Sequence, residues 1–247
     1  MTVTLSRHGG GVTRRRGQAG GRRYIARVRS THRPPPVAEP VALISDIHGS
    51  LEALDAVLAE IRERGARRLY VAGDLLTEGP DPLGVWRRLT ELKAASIRGV
   101  SDSALCSVDT SKLSPQTDLE RERLERFLWT RRTIGELVLE SLKRLPLTMR
   151  VPFIDGSELL LVHGSPADPY QELSQDMADE EILPLIDDPA EVVACGASHV
   201  PFQRVIDDVH LVNVGSVGAA PEGRIAHYTI LTPTPGARVV EQDWVDY

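Results

Sequence analysis

The chain has 247 residues, of which 41% are hydrophobic and 26% charged, a balance typical of a globular protein with a sizeable core. No run of eighteen apolar residues occurs, and the start of the chain lacks the apolar stretch of a secretion signal, which argues against a membrane span or export. The two cysteines, Cys106 and Cys195, fit neither a disulfide scaffold nor a cysteine zinc ribbon. We therefore expect a cytoplasmic protein with no membrane partner, built as one large α/β domain or two small ones.

Residues 1–40 carry a charge unlike that of the rest of the chain. They contain nine arginines and one acid, Glu39, which gives a formal charge of +8 against −14 for residues 41–247. Clusters of glycine and proline interrupt any period, so we predict a disordered arm at 1–40 and a folded domain at 41–247. The arm is either an unstructured leader or a segment that binds nucleic acid. Its single aromatic residue, Tyr24, and the acidic body disfavour nucleic acid as a partner.

The first half of the predicted domain alternates apolar strands with amphipathic helices. Residues 41–44 form a continuous apolar run, as expected of a strand buried on both faces. Ser50 is a candidate cap for the first helix, whose leucines recur at spacings of three and four. In chain order the predicted elements are strands at 41–44, 69–72 and 96–98 and helices at 51–61, 82–93 and, in two pieces, 118–145.

The second half is dominated by strands. Asp155 and Gly156 form a strong hairpin turn signal between two apolar runs. The predicted elements are strands at 149–154, 158–162, 191–195, 205–206, 210–214, 225–231 and 238–242 and a helix at 179–186. The last four strands are expected to be sequential and antiparallel. A parallel start and an antiparallel finish predict an α/β fold in which two mixed β-sheets pack together, flanked by helices.

Polar residues follow the ends of five predicted strands. They are Asp46 and His48, Asp74, the segment 98–102, His163, and His199. Carboxylates and imidazoles suit Zn, Mn or Fe, and the glycines beside them let the backbone turn close to a charged ligand. Asp46 and Asp74 could instead merely cap the helices that follow. Five such strand ends together favour a metal site.

The order of these motifs resembles that of a known family. Asp-x-His, Gly-Asp, Gly-Asn-x-Asp, His-Gly and Gly-His-x-His form the signature of the calcineurin-like metallophosphoesterases, and the chain is similar to their small prokaryotic phosphodiesterase branch. The similarity covers about residues 41–247, including 161–166 and 213–218. It implies the calcineurin-like sandwich and a phosphoesterase that takes a phosphate ester, either a phosphodiester or a phosphomonoester, as substrate.

The resemblance also implies a ligand set. In that family two metal ions share a bridging aspartate and a hydroxide that attacks phosphorus while the metals hold the phosphoryl oxygens. By position, Asp46, His48 and His199 would hold the first ion, Asp74 would bridge, and His163 would join Asp74 at the second.

The chain departs from the family pattern at the two remaining ligands of the second metal. The Asn position is Val100, and the position of the first His in the last motif is Ala197. Neither side chain can donate to a metal, so the second site keeps fewer than the three protein ligands usual in a catalytic site. We expect one tightly bound divalent transition metal (Mn, Fe, Zn or Ni) and a second ion that binds weakly or not at all.

Two further residues are candidates for contact with the substrate. Asp102, two positions after Val100, could turn toward the second site. Arg98 could contact a phosphate, although a structural charge is the alternative. The resulting hypothesis is a metal-dependent phosphoesterase with an incomplete second site. The alternative is a catalytically impaired relative that binds a ligand or partner, and a homo-oligomer stays open.

Overall fold

The computed structural model describes residues 35–186, 190–234 and 237–247. Most of the predicted arm therefore lies outside the described residues. Of its last part, Val37 is buried and pairs with the strand end at Phe153, since its amide donates to the Pro152 carbonyl. The packed region thus includes Val37, four residues before the predicted start of the domain.

The described residues form ten strands and five helices, with 3-10 turns at Thr110–Lys112 and Leu183–Leu185. The strands are β1 Val41–Ile44, β2 Arg68–Val71, β3 Ala95–Ser96, β4 Thr148–Pro152, β5 Glu158–Val162, β6 Val192–Cys195, β7 Phe202–Ile206, β8 Val209–Asn213, β9 Ile225–Thr234 and β10 Ala237–Asp246. The helices are α1 Leu51–Glu63, α2 Pro82–Glu91, α3 Val100–Ser107, α4 Asp118–Lys143 and α5 Asp179–Ile182. None of these helices is both long enough and apolar enough to cross a bilayer.

The strands form two five-stranded mixed sheets, as predicted. The first has the order β10-β9-β1-β2-β3 and the second β4-β5-β6-β8-β7. Strand β1 shows why its sequence is apolar throughout. Val41 and Leu43 join the core between the two sheets, whereas Ala42 and Ile44 join the core beneath α1, α2 and α4. Because side chains alternate across a strand, β1 is buried on both faces.

The last four strands differ from the prediction of one antiparallel series. β7 pairs with β8 and β9 with β10, both antiparallel, but the two hairpins lie in different sheets. β8 runs parallel to β6 in the second sheet, and β9 runs antiparallel to β1 in the first. The connection at residues 214–224 carries the chain from one sheet to the other, which local patterning does not reveal.

Two helices, α3 and α4, lie next to the strand ends that carry the predicted ligands. Helix α3 occupies residues read from the sequence as a polar strand end, because its small residues give no clear spacing of apolar positions. Helix α4 is in two pieces, as predicted. It breaks at Gly135, whose φ of 71° and ψ of 172° are not helical. The residues of α4 that are buried all lie at or after Thr130, so its N-terminal half faces outward.

Candidate metal centre

The five predicted ligands converge at one edge of the two sheets. β1 and β2 are parallel neighbours in the first sheet, and β5 and β6 are parallel neighbours in the second. The residues after their carboxyl ends therefore meet. Potential ligand atoms lie within 4.8 Å of one another in two groups, one formed by Asp46, His48 and His199 and the other by Asp46, Asp74 and His163.

The first group is centred on one oxygen of Asp46. Its Oδ1 lies 3.2 Å from Nε2 of His199 and 3.6 Å from Nε2 of His48, and the two imidazole nitrogens are 3.2 Å apart. Nδ1 of His48 lies 3.3 Å from the hydroxyl of Thr77, a contact that fixes the ring orientation behind a ligand. Asp46 is fully buried, and Oδ1 has no hydrogen-bond donor. A bound cation would satisfy this oxygen.

The second group adds Asp74 and His163. Nε2 of His163 lies 3.5 Å from Oδ1 of Asp74. Nδ1 of the same ring lies 2.8 Å from the carbonyl of Ala72, which as an acceptor favours the tautomer with its proton on Nδ1 and a free lone pair on Nε2. Asp46 belongs to both groups, and its Oδ2 accepts a hydrogen bond from the amide of Ala197 at 3.1 Å. The bridging role that the resemblance implies for Asp74 stays a prediction.

The ligand-bearing turns use left-handed backbone. Five residues of these turns have φ between 48° and 65°: Asp46, His48, Asp74, Ala197 and His199. This conformation costs roughly 1–2 kcal/mol for an ordinary L-residue, and Asp and His are enriched in it. Because such strain concentrates at functional sites, the backbone supports the assignment of these turns to the site.

The two carboxylates and the imidazoles influence one another's ionisation. Burial alone would raise the pKa of Asp46, but the adjacent imidazoles of His199 and His48 outweigh burial and hold the pKa well below its usual range. Burial likewise opposes charge on His163, but the hydrogen bond and the negative charge of Asp74 raise its pKa to about 9. The centre therefore keeps its carboxylates ionised, as a cation site requires, and a bound cation would displace the proton from Nε2 of His163.

The structure places no donor side chain at the two altered positions. Val100 begins α3 and is 41% exposed. Ala197 contributes only its backbone amide to Asp46. The second group therefore consists of Asp46, Asp74 and His163 in the described part of the chain, and it shares Asp46 with the first. The donor set of the first group fits a divalent transition metal better than that of the second.

The two predicted catalytic side chains are engaged with backbone groups. Asp102 is fully buried, and its two carboxylate oxygens accept hydrogen bonds from the amides of Leu75 and Gly99 at 3.0 and 3.1 Å. Burial and the charge of Asp74 raise the pKa of Asp102 to about 7. Arg98 donates from Nη1 to the carbonyl of Lys143, the last residue of α4, at 2.7 Å. Both side chains support the surrounding backbone, because α3 needs an acceptor at its start and α4 a donor at its end.

Asn213 is a supporting residue whose individual role no sequence pattern indicates. Its fully buried amide nitrogen donates to the carbonyl of Gly196 at 2.7 Å and to the hydroxyl of Ser198 at 2.9 Å. It thereby holds the turn that carries His199. The glycine-rich turn that begins at Asn213 contacts the site directly, since the Ser216 hydroxyl donates to the carbonyl of Asp46 at 2.8 Å. Only the glycines of this turn, and not the role of Asn213, were visible in the sequence.

Comparison with known proteins agrees with this geometry. A family model described as the calcineurin-like phosphoesterase superfamily domain matches residues 40–235. The chain is 28% identical over 212 residues to the uncharacterized protein MJ0912 of Methanocaldococcus jannaschii, which covers 76% of this chain and 79% of the relative. It is 27% identical over 199 residues to phosphodiesterase YfcE of Escherichia coli, covering 76% of this chain and 84% of the relative.

A solved structure extends the comparison to the fold. The metallophosphoesterase of Sphaerobacter thermophilus matches with a TM-score of 0.67 at 26% identity, covering 85% of this chain and 89% of the other. The match includes both mixed sheets and the flanking helices. Because the family model spans most of the chain, and the expected metal ligands meet at one sheet edge, the chain belongs to the calcineurin-like phosphoesterase superfamily.

Proposed function

We propose that this protein is a metal-dependent phosphoesterase that hydrolyses phosphodiester or phosphomonoester bonds with one tightly bound ion. The observation that carries the proposal is the buried Oδ1 of Asp46, which has no hydrogen-bond donor and faces the imidazoles of His48 and His199. An anionic oxygen without a partner is costly inside a protein unless a cation completes it. Asp46, His48 and His199 would hold that ion, with Asp74 beside them.

The ion supplies Lewis-acid chemistry, since it lowers the pKa of water and polarises a phosphoryl oxygen. The residues of the chain orient the ligands for this task. Thr77 fixes the ring of His48, and the Ala72 carbonyl fixes that of His163. Asn213 holds the turn of His199 in place. Direct contact of Asp102 or Arg98 with substrate is left out of the proposal, because both are engaged with backbone groups.

The incomplete second site is the finer part of the proposal. Val100 and Ala197 offer no donor atom, so a second ion would depend on His163 and on carboxylates shared with the first ion. We propose that the second ion binds weakly or not at all. The carboxylate and imidazole donors of the first site favour Mn, Fe, Zn or Ni.

The names of relatives support phosphate-ester hydrolysis. YfcE is named a phosphodiesterase, and the Sphaerobacter thermophilus protein a metallophosphoesterase. The test is elemental analysis of the purified chain together with hydrolysis of bis(4-nitrophenyl) phosphate in Mn²⁺. We expect about one transition-metal ion per chain and measurable hydrolysis. Asp46→Asn should abolish both, and Asp176→Asn, a matched change at an exposed carboxylate, should leave both intact.

The second candidate function is ligand or partner binding without catalysis. It is favoured by the presence of Val100 and Ala197, which have no donor atom, at two ligand positions of the same metal site. The two candidates differ in one measurement. If the native chain is inactive but the double variant Val100→Asn, Ala197→His hydrolyses the nitrophenyl diester, the binding role is the correct one. A cytoplasmic location and a homo-oligomeric state stay predictions.

A further inference from the structure

A cleft adjoins the metal centre on the side of α4. Its volume is about 400 Å³, within the range of small-molecule sites. It is lined by Thr77, Glu78, Ser101, Ala104, Leu119, Glu122, Arg123, Arg126 and Phe127. Two of these residues touch the centre, since Thr77 contacts His48 and the amide of Ser101 donates to Oδ1 of Asp74 at 2.9 Å. A group attached to a phosphorus atom at the centre would therefore enter this cleft.

The outer wall of the cleft is the N-terminal half of α4. The capping box of Thr117 and Glu120 fixes the start of the helix. Arg126 joins this wall to the opposite one, because its guanidinium donates to the carbonyl of Glu78 at 3.1 Å. On its own helix it also pairs with the carboxylate of Glu122 at 3.2 Å. The wall is thus joined to the loop that follows Asp74, and the cleft is a defined space between them.

Three kinds of chemistry meet in this space. Phe127 offers an aromatic surface, and Arg123 and Arg126 offer guanidinium donors that suit phosphate oxygens. Glu78 and Glu122 offer carboxylate acceptors for hydroxyl or amino groups. A nucleotide carries a counterpart for each of the three: a planar base, hydroxyl and amino groups, and phosphoryl oxygens.

We propose that the cleft binds the nucleoside part of a nucleotide substrate that carries more than one phosphoryl group, a proposal that rests on the phosphoesterase function proposed above. The base lies against Phe127, the hydroxyl and amino groups meet the two glutamates, and a phosphoryl group outside the metal centre meets Arg123. The outer half of α4 then determines which phosphate esters the enzyme accepts.

The test is calorimetric titration of the full chain with ADP, and with adenosine and pyrophosphate as its separate halves. We expect ADP to bind more tightly than either half. Phe127→Leu, which keeps an apolar side chain but removes the ring, should weaken ADP binding about fivefold. Arg123→Gln should weaken it about tenfold. Arg121→Gln is the matched control, because Arg121 lies on the same helix, pairs with Asp118 and does not line the cleft.

The outcomes separate this proposal from the one on which it rests. Hydrolysis of bis(4-nitrophenyl) phosphate by the same variants reports on the metal centre alone. Loss of ADP affinity in Phe127→Leu and Arg123→Gln, but not in Arg121→Gln, supports the nucleotide cleft whether or not the native chain hydrolyses the diester. Equal ADP affinity in all three variants would overturn it, even with full hydrolysis. So would pyrophosphate binding as tight as that of ADP. Arg123 is exposed, so its variant remains informative if Phe127→Leu folds poorly.

Discussion

Binding of Mn²⁺ should stabilise the fold by an amount that reveals how many ions bind. The centre holds a fully buried carboxylate with an unpartnered oxygen, so the ion binds the folded chain and not the unfolded one. At a free concentration of one hundred times Kd, one ion adds about 2.7 kcal/mol to the free energy of unfolding. For a folded region of this size, that raises Tm by about 5–10 °C. Each further tenfold increase in Mn²⁺ adds about 1.4 kcal/mol per bound ion, so two ions would double the slope.

Differential scanning fluorimetry over a series of Mn²⁺ concentrations measures this slope. His199→Ala should remove most of the shift with little damage to the apo fold, because the His199 side chain is 30% exposed and its contacts are with His48 and Asp46. His210→Ala, a matched change in β8 outside the centre, should keep the full shift. A slope that corresponds to two bound ions, or a Tm shift that is undiminished in His199→Ala, would refute the inference that one ion binds.

Three more predictions follow from particular contacts. Val100→Asn with Ala197→His should raise the bound Mn²⁺ from one ion to two by elemental analysis, since Val100 is largely exposed and histidine tolerates the left-handed backbone at position 197. Asn213→Ala should lower the free energy of unfolding in urea by about 2–4 kcal/mol, because it leaves several buried backbone and hydroxyl groups unpaired. Asp102 has a pKa of about 7 in the folded chain, above the ordinary 3.8, so the folded state keeps a proton that the unfolded state loses. Its contribution to stability therefore falls as pH rises from 4 to 7, and in metal-free protein the stability of the native chain relative to Asp102→Asn should fall by up to about 1.4 kcal/mol per pH unit.

The metal ligands were predictable because each follows an apolar run. Val41–Ile44 is buried on both faces, so it reads as a central strand, and Asp46 and His48 must then lie at the sheet edge where ligands gather. The order of such strand ends along the chain also carried the family resemblance. Local pattern and motif order together were therefore sufficient for the fold class and for placing the five candidate ligands at one sheet edge.

The supporting contacts were not predictable for a physical reason. Asp102 caps a helix, α3, whose small residues leave no amphipathic pattern, so its carboxylate looked free for catalysis. Asn213 ends β8 but hydrogen-bonds to Gly196 in the turn that follows β6, a contact between strands that local sequence does not reveal. The cleft depends on which face of the first piece of α4 turns inward. Because the helix breaks at Gly135, the apolar positions after the break do not predict that face.

The interruption of α4 at Gly135 separates two demands that a continuous helix would combine. Beyond the break, Leu139 and Leu142 are fixed in the protein interior. Before it, Arg123 and Arg126 border the cleft on a stretch, residues 118–129, that has no fully buried side chain. Substitutions at the exposed positions of this stretch therefore cost little folding energy. Descendants of one ancestral hydrolase could thus diverge in the esters they accept while the reaction centre stays the same.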